Sequence, residues 1–233
     1  YQELSNRKWK GDLQVEVSIS STGERTIATV YMRDETPVRT SEGPDIARYV
    51  VNEFPLEVSQ RSFWQSHKSA PAVLCEAVLK YAEIKVGDQV LDLYGGVGLF
   101  TAAALAAVGS TGRVDLVEAS SSAIGDAKNN FAGLTNVEIS TGDVVKIISR
   151  IQSADVVILD PPREGAGKDV VQQLARIGAR VIIYVACDPA ALARDTVYLA
   201  ESGYSLTKIR AFDLFPMTHH IESVAMFTPN KVS

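Results

Sequence analysis

From about Ser69 onward the chain alternates short apolar strands with helical stretches, and this succession constrains its fold more than any other feature. Strand-like runs fall at 89–93, 114–117, 137–140, 156–159 and 181–185. Strands alternating with helices are the signature of a parallel sheet covered by helices. Ser69 is placed to cap a first helix, with Pro71 in its first turn and Leu74, Val78 and Leu79 beyond. Further helices are expected over 99–107, ending near Gly109, over 122–131, and through Leu192 and Leu199 up to Gly203. The chemically versatile residues gather just after the strands, where ligands bind in such sheets.

The closing pair of strands differs. Residues 205–211 and 221–227 are joined by residues 212–220 alone. A parallel crossover needs about a dozen residues or more, so this pair is expected to be antiparallel. The prediction is an α/β, Rossmann-like fold, with a seven-stranded, mostly parallel sheet and an antiparallel last strand. Upstream, residues 1–33 read as β: Val15, Val17 and Ile19 alternate with polar neighbours, 21–24 turn, and 27–31 continue as a second strand. Residues 33–45, with Pro37, Gly43, Pro44 and many charges, read as a loop.

Composition removes several classes. Of 233 residues, 46% are hydrophobic and 22% charged, enough apolar content for a substantial core. No stretch approaches the roughly 18 apolar residues of a transmembrane helix. The start, Tyr1-Gln2-Glu3-Leu4-Ser5, has neither an initiator Met nor a signal-peptide pattern, and reads as a cut end. Two cysteines make no disulfide scaffold, which favours a reducing cytoplasm. A net charge of −5 argues against a general nucleic-acid coat and leaves room for a local basic patch.

Four motifs carry chemistry. In Asp92-Leu93-Tyr94-Gly95-Gly96-Val97-Gly98, glycines let backbone pass close to a ligand in front of a helix N-terminus. Glu118, at the end of the next strand, can accept both hydroxyls of a ribose, and Asp143 could meet an adenine amino group. A nucleoside-containing cofactor fits. Thr101 stands where a dinucleotide fingerprint has its third glycine, which weakens an NAD reading. A tight turn flanked by surface acids is the plain alternative. In Asp160-Pro161-Pro162-Arg163, two prolines stiffen a loop that has Asp160 pointing in and Arg163 free to reach a phosphate or carboxylate. Cys187 precedes a helix whose N-terminus favours thiolate, whereas Cys75 reads as packing. In His219-His220-Ile221-Glu222, strand alternation puts His220 and Glu222 on one face, and Glu222 could act as a base. With three His in the chain, no metal site is expected.

These segments, with Phe63-Trp64-Gln65, the run from Ala186-Cys187-Asp188-Pro189 to Arg194-Asp195, and Phe215-Pro216-Met217-Thr218 before the histidines, together resemble the S-adenosylmethionine-dependent RNA 5-methyluridine methyltransferases. The resemblance spans residues 55–229. It implies a class I methyltransferase fold, S-adenosylmethionine as methyl donor, and a uridine in tRNA or rRNA as acceptor. It further implies Cys187 as nucleophile, Glu222 as base, and Gln65, Tyr94, Gly96, Glu118, Asp143 and Asp160 as cofactor-binding residues, with Asp160 also near the uracil edge. Residues 1–60 then form a partial central β region and linker, and 61–233 the catalytic domain of a monomeric, cytoplasmic enzyme. The family's N-terminal RNA-binding barrel is not in this sequence. Four positions depart from the pattern: Ala186 and Asp188 replace a Ser and an Asn on either side of the cysteine, His67 an Asn two residues after Phe-x-Gln, and Leu99 an Asn after the glycine turn. Methyl transfer to an exocyclic nitrogen or a small molecule, and RNA binding without catalysis, remain alternatives.

Overall fold

The computed structural model describes residues 4, 6–8 and 11–230, so part of the β stretch expected over 1–33 lies outside the described residues. Three antiparallel strands come first: β1 (Leu13–Ile19), β2 (Arg25–Arg33) and β3 (Thr36–Glu42), in the order β1-β2-β3. β3 overturns the loop expected over 33–45. Its backbone pairs with β2 along its whole length, Pro37 opposite Met32. Proline survives there because β3 is an edge strand with only one bonded side. A hairpin, β4 (Ile46–Val51) and β5 (Phe54–Ser59), leads to α1 (Ala70–Ala82). Ser69 stands at the N-cap of α1, but its side chain makes no capping bond.

The main sheet follows the expected alternation: β6 (Gln89–Leu93), α2 (Leu99–Val108), β7 (Arg113–Glu118), α3 (Ser121–Asn130), β8 (Val137–Thr141), α4 (Val144–Ile148), β9 (Val156–Leu159), α5 (Gly167–Ile177), β10 (Val181–Ala186), α6 (Pro189–Glu201), β11 (Tyr204–Phe212) and β12 (Glu222–Pro229). Its order is β11-β12-β10-β9-β6-β7-β8. Strands β8, β7, β6, β9 and β10 are mutually parallel, and β12 is antiparallel to both neighbours. This is the seven-stranded Rossmann-like sheet with an antiparallel last strand. Helices α4 and α5 complete the alternation, and the sequence reading assigned neither.

Two cores explain why the middle strands are apolar throughout. Successive strand residues point to opposite faces. Val156 and Ile158 pack with α1, α2 and α3, while Val157 and Leu159 pack with α4, α5 and α6. Buried on both faces, β9 and β10 read as unbroken hydrophobic runs. Strands run outward from β6 through β7 to β8, and the chain then returns to the other side of β6 as β9. The crevice outside the carboxyl ends of β6 and β9 is therefore the topological switch point, where sheets of this kind bind ligands.

The β4–β5 hairpin is latched to this body by side chains of α3. Asn130 Oδ1 accepts from Glu57 N at 2.8 Å, and its Nδ2 donates to Glu57 O at 3.0 Å and Val97 O at 3.1 Å. Asp126 accepts from Ser59 N and Oγ at 2.9 and 2.8 Å. Side chains thus satisfy backbone groups that an open strand edge would leave to water. Among the described residues, no helix is long and apolar enough to cross a membrane.

Candidate active site

The turn after β6 is shaped by two close approaches. A Cβ on Gly98, at φ 100°, would overlap the Phe131 ring, and one on Gly95 would lie 2.7 Å from the Leu116 side chain. Gly96 differs: a Cβ there would meet nothing within 4 Å, so its backbone faces open space. Its N–H donates to Glu118 Oε2 at 3.0 Å, while Glu118 Oε1 accepts from Ala119 N and Ser120 N at 2.8 and 2.7 Å. The acid at the end of β7 is thereby held against the glycine turn. Tyr94 takes φ 59°, a left-handed conformation that costs a non-glycine residue about 1–3 kcal/mol. Its phenol is pushed up to about 12 by burial, with Asp143, Asp195 and Glu164 adding to the effect. Asp143 caps α4, its Oδ1 accepting from Lys146 N at 3.0 Å.

Asp92, which the sequence reading did not single out, is wholly buried beneath this turn. Its Oδ2 accepts from Thr101 Oγ1 at 2.6 Å, and its Oδ1 has no partner. Burial chiefly pushes its carboxyl up to about 7. Thr101, noted in the sequence only as a missing glycine, is the donor that holds this acid. The donor and acceptor set fits a nucleoside cofactor with a cationic end. Glu118 lies at the turn, Gly96 is open, and an orphaned carboxyl oxygen lies behind them. No group of three or more His, Cys, Asp or Glu among the described residues could hold a metal ion.

The second cluster forms at the ends of β9, β10 and β12. The loop from Asp160 to Arg163 starts beside β6, with Asp160 N donating to Leu93 O at 3.2 Å. The Asp160 carboxyl is held well above its ordinary range by burial, then by Glu222 and Asp92. In β10 and β12, Ala186 pairs with Ser223, so the next opposed positions are Cys187 and Glu222. Glu222 is buried, and burial raises its carboxyl. Cys187 is half-buried, at the edge of a crevice that Pro161, Arg163 and Tyr184 also line.

Here the structure corrects the expectation of a thiolate. Burial raises the Cys187 thiol, and Glu222 and Asp160 raise it further, against smaller opposing pulls from its own backbone N–H and from Arg163. The helix N-terminus is already engaged: Asp188 Oδ1 accepts from Ala191 N at 2.8 Å, and Pro189 has no N–H to offer. Cys75 is fully buried against Leu99 O, and burial pushes its thiol up to about 12, in keeping with a packing role. A second correction concerns His220. The strand begins at Glu222, and His219 and His220 lie in the preceding turn, their rings 4.2 Å apart. Strand alternation therefore does not extend to His220.

Tyr94, Gly96, Glu118, Asp143, Asp160, Cys187 and Glu222 all sit on the carboxyl edge of the sheet. Gln65 lines a cavity of about 400 Å³ with Trp64, Lys68 and residues of β1 and α1. Trp64 beside it stacks on Tyr49 at 4.4 Å.

Comparison with known proteins agrees with this geometry. The family model described as tRNA (Uracil-5-)-methyltransferase matches residues 48–229. An uncharacterized RNA methyltransferase of Streptomyces avermitilis is 48% identical over 174 residues, covering 74% of this chain and 40% of that protein. Another, of Streptomyces coelicolor, is 40% identical over 220 residues, covering 94% and 46%. The chain thus spans about half the length of the curated relatives it matches. Among solved structures, the tRNA (uracil-54, C5)-methyltransferase of Pyrococcus abyssi, in complex with S-adenosyl-L-homocysteine, superposes with a TM-score of 0.69 at 28% identity, over 81% of this chain and 45% of that one. A precorrin-6y C5,15-methyltransferase of Geobacter metallireducens, with a TM-score of 0.59 at 14% identity over 75% of this chain and 94% of that one, shares the fold. The chain belongs to the tRNA (uracil-5-)-methyltransferase family.

Proposed function

We propose that residues 61–233 form the catalytic domain, and residues 1–60 part of a β region, of a cytoplasmic enzyme that methylates C5 of a uridine in RNA. The observation that carries this reading is the opposition of Cys187 and Glu222 beside the Asp160–Arg163 loop, on the same edge of the sheet as the glycine turn. Methyl transfer to nitrogen has no use for such a thiol. Uracil C5 is a poor nucleophile, and adding a thiolate to C6 makes it enolate-like.

Glu118 would accept the ribose hydroxyls of S-adenosylmethionine at the turn containing Gly96, with Tyr94, Asp143 and Asp160 around it and Gln65 as a further contact. When bound, S-adenosylmethionine offers a sulfonium methyl group to C5 and leaves as the neutral thioether. Cys187, once its proton has passed to solvent, bonds through Sγ to C6, and the C5=C6 electrons shift toward O4. Asp160, at the start of the loop beside Cys187 and Glu222, would lie near the uracil edge. After C5 is methylated, Glu222 takes the C5 proton, the C6–S bond breaks, and the double bond returns. The acceptor must leave its stack to be reached, so a loop or flipped nucleotide of tRNA or rRNA is the substrate. A Pyrococcus abyssi relative named for a tRNA uracil favours tRNA.

The test is nucleoside mass spectrometry on unmodified RNA incubated with S-adenosylmethionine and either wild-type protein or Cys187→Ala. 5-Methyluridine with wild type alone supports the reading. Equal methylation by both variants, or transfer to nitrogen, overturns it.

A further inference from the structure

The carboxyl group of Asp195 is fully buried on α6, two turns beyond Cys187, and accepts five hydrogen bonds. Its Oδ2 takes Ala166 N at 2.7 Å, Gly167 N at 3.2 Å and the Tyr184 hydroxyl at 2.7 Å. Its Oδ1 takes Arg194 Nε and Nη2 at 3.0 and 2.8 Å. Arg194 Nη2 also donates to Glu164 O at 2.6 Å. The fit leaves no slack: Gly165 has φ 80°, and a Cβ on it would lie 2.6 Å from both Arg194 Nη2 and Asp195 Oδ2.

Every backbone group in this network belongs to residues 164–167, the exit of the Asp160–Arg163 loop. At its entrance, the loop is pinned by Asp160 N to Leu93 O at 3.2 Å. Between the two anchors lie Pro161 and Pro162, whose fixed φ values leave little freedom. A buried charge is a weak source of stability, because well-packed apolar groups can replace it at little cost. A fully satisfied one fixes geometry. The geometry fixed here is that of Asp160 and Arg163 relative to Cys187, since α6 carries Asp195 and begins two residues after the cysteine.

We propose that Asp195 is a positioning residue for the reaction: through Ala166, Gly167 and Arg194 it holds the Asp160–Arg163 loop in register with Cys187. The inference rests on the reading that Cys187 reacts with a uracil beside that loop. Misplacing a reacting group by about 1 Å can cost about 100-fold in rate.

The experiment compares wild type, Asp195→Asn and Tyr204→Phe in the intact protein. Tyr204→Phe removes a hydrogen bond of 2.7 Å to Ala179 O in the same core, away from the loop, and controls for destabilisation alone. Two readouts are taken per folded molecule: kcat and KM for methyl transfer, and the pH profile of Cys187 alkylation by iodoacetamide, followed on its peptide. Charged groups facing the thiol are Glu222 from β12, and Asp160 and Arg163 from the loop. Releasing the loop admits water and withdraws Asp160, so alkylation should begin at lower pH in Asp195→Asn. Its kcat should fall about 10- to 100-fold with KM little changed, while Tyr204→Phe matches wild type in both. Should Asp195→Asn not fold, Arg194→Gln, at a half-exposed side chain, must move both readouts the same way by a smaller amount. A wild-type profile and kcat in the folded Asp195 or Arg194 variant, or equal losses in Tyr204→Phe, overturns the proposal. If wild type makes no 5-methyluridine yet the alkylation profile shifts, the assigned reaction is wrong and the clamp stands.

Discussion

Cys187 and Glu222 oppose one another one step beyond the pair formed by Ala186 and Ser223, where β10 ends and β12 begins. Neither residue is close to the other in sequence, and the antiparallel last strand alone brings them together. A parallel strand in that place would begin at the far edge of the sheet. The single reversed strand is therefore what gives the thiol a carboxyl partner.

If Glu222 removes the C5 proton, Glu222→Gln should lower kcat by about 10²- to 10⁴-fold, the range for loss of a general base. Addition to C6 and methylation precede that step, so protein and RNA should remain joined. A denaturing gel should show a Cys187-dependent covalent complex that accumulates in Glu222→Gln. Slow turnover with no complex would place Glu222 in another role.

The thiol itself should titrate high. An ordinary cysteine titrates near 8.5, and burial together with Glu222 and Asp160 lifts Cys187 above its usual range. Alkylation of wild-type Cys187 should reach half its maximal rate above that value. In Glu222→Gln, with one facing carboxyl gone, the half-point should move down. A half-point near 7 in the wild type would contradict the structure.

Asp92 makes stability depend on pH. Its carboxyl titrates near 7 when folded and near 3.9 when unfolded. With the folded value raised, the native state binds the extra proton, so this contribution is present below about pH 4 and is lost as pH rises through about 7. Asp92→Asn keeps an acceptor for Thr101 and removes the titration. Its Tm should fall less than that of wild type between pH 4 and pH 8, and parallel curves would count against a buried, raised acid.

The hairpin latch is testable by truncation. Asn130→Ala leaves Glu57 N, Glu57 O and Val97 O without their side-chain partner. Losing such a group costs about 1–3 kcal/mol, measurable by denaturant unfolding. Hydrogen exchange should quicken at Glu57 while β9 stays protected.

Much of this was legible because the middle strands announce themselves: four-residue and six-residue apolar runs buried on both faces, each followed by a polar group at the same edge. The short link before β12 exposed the reversed strand. β3 was not legible, since an edge strand carries Pro37 and charges without loss, and its pairing with β2 leaves no apolar alternation to read. Asp92 and Asp195 were passed over for a related reason. Their importance lies in burial and in partners at Thr101, Ala166 and Tyr184, and a carboxyl's burial has no signature in its neighbours. The thiolate expectation failed because a helix N-terminus was counted without the thiol's burial or the carboxyls that face it.

The place of β12 between β10 and β11 has a consequence for synthesis. β11 precedes β12 in the chain, yet it cannot join the sheet until β12, residues 222–229, arrives to bridge it to β10. Domains fold largely as they leave the ribosome, N-terminal parts first. A nascent chain that has emerged only as far as β11 holds Cys187 with no Glu222 carboxyl opposite it. The thiol is in place early, and its carboxyl partner arrives only with β12.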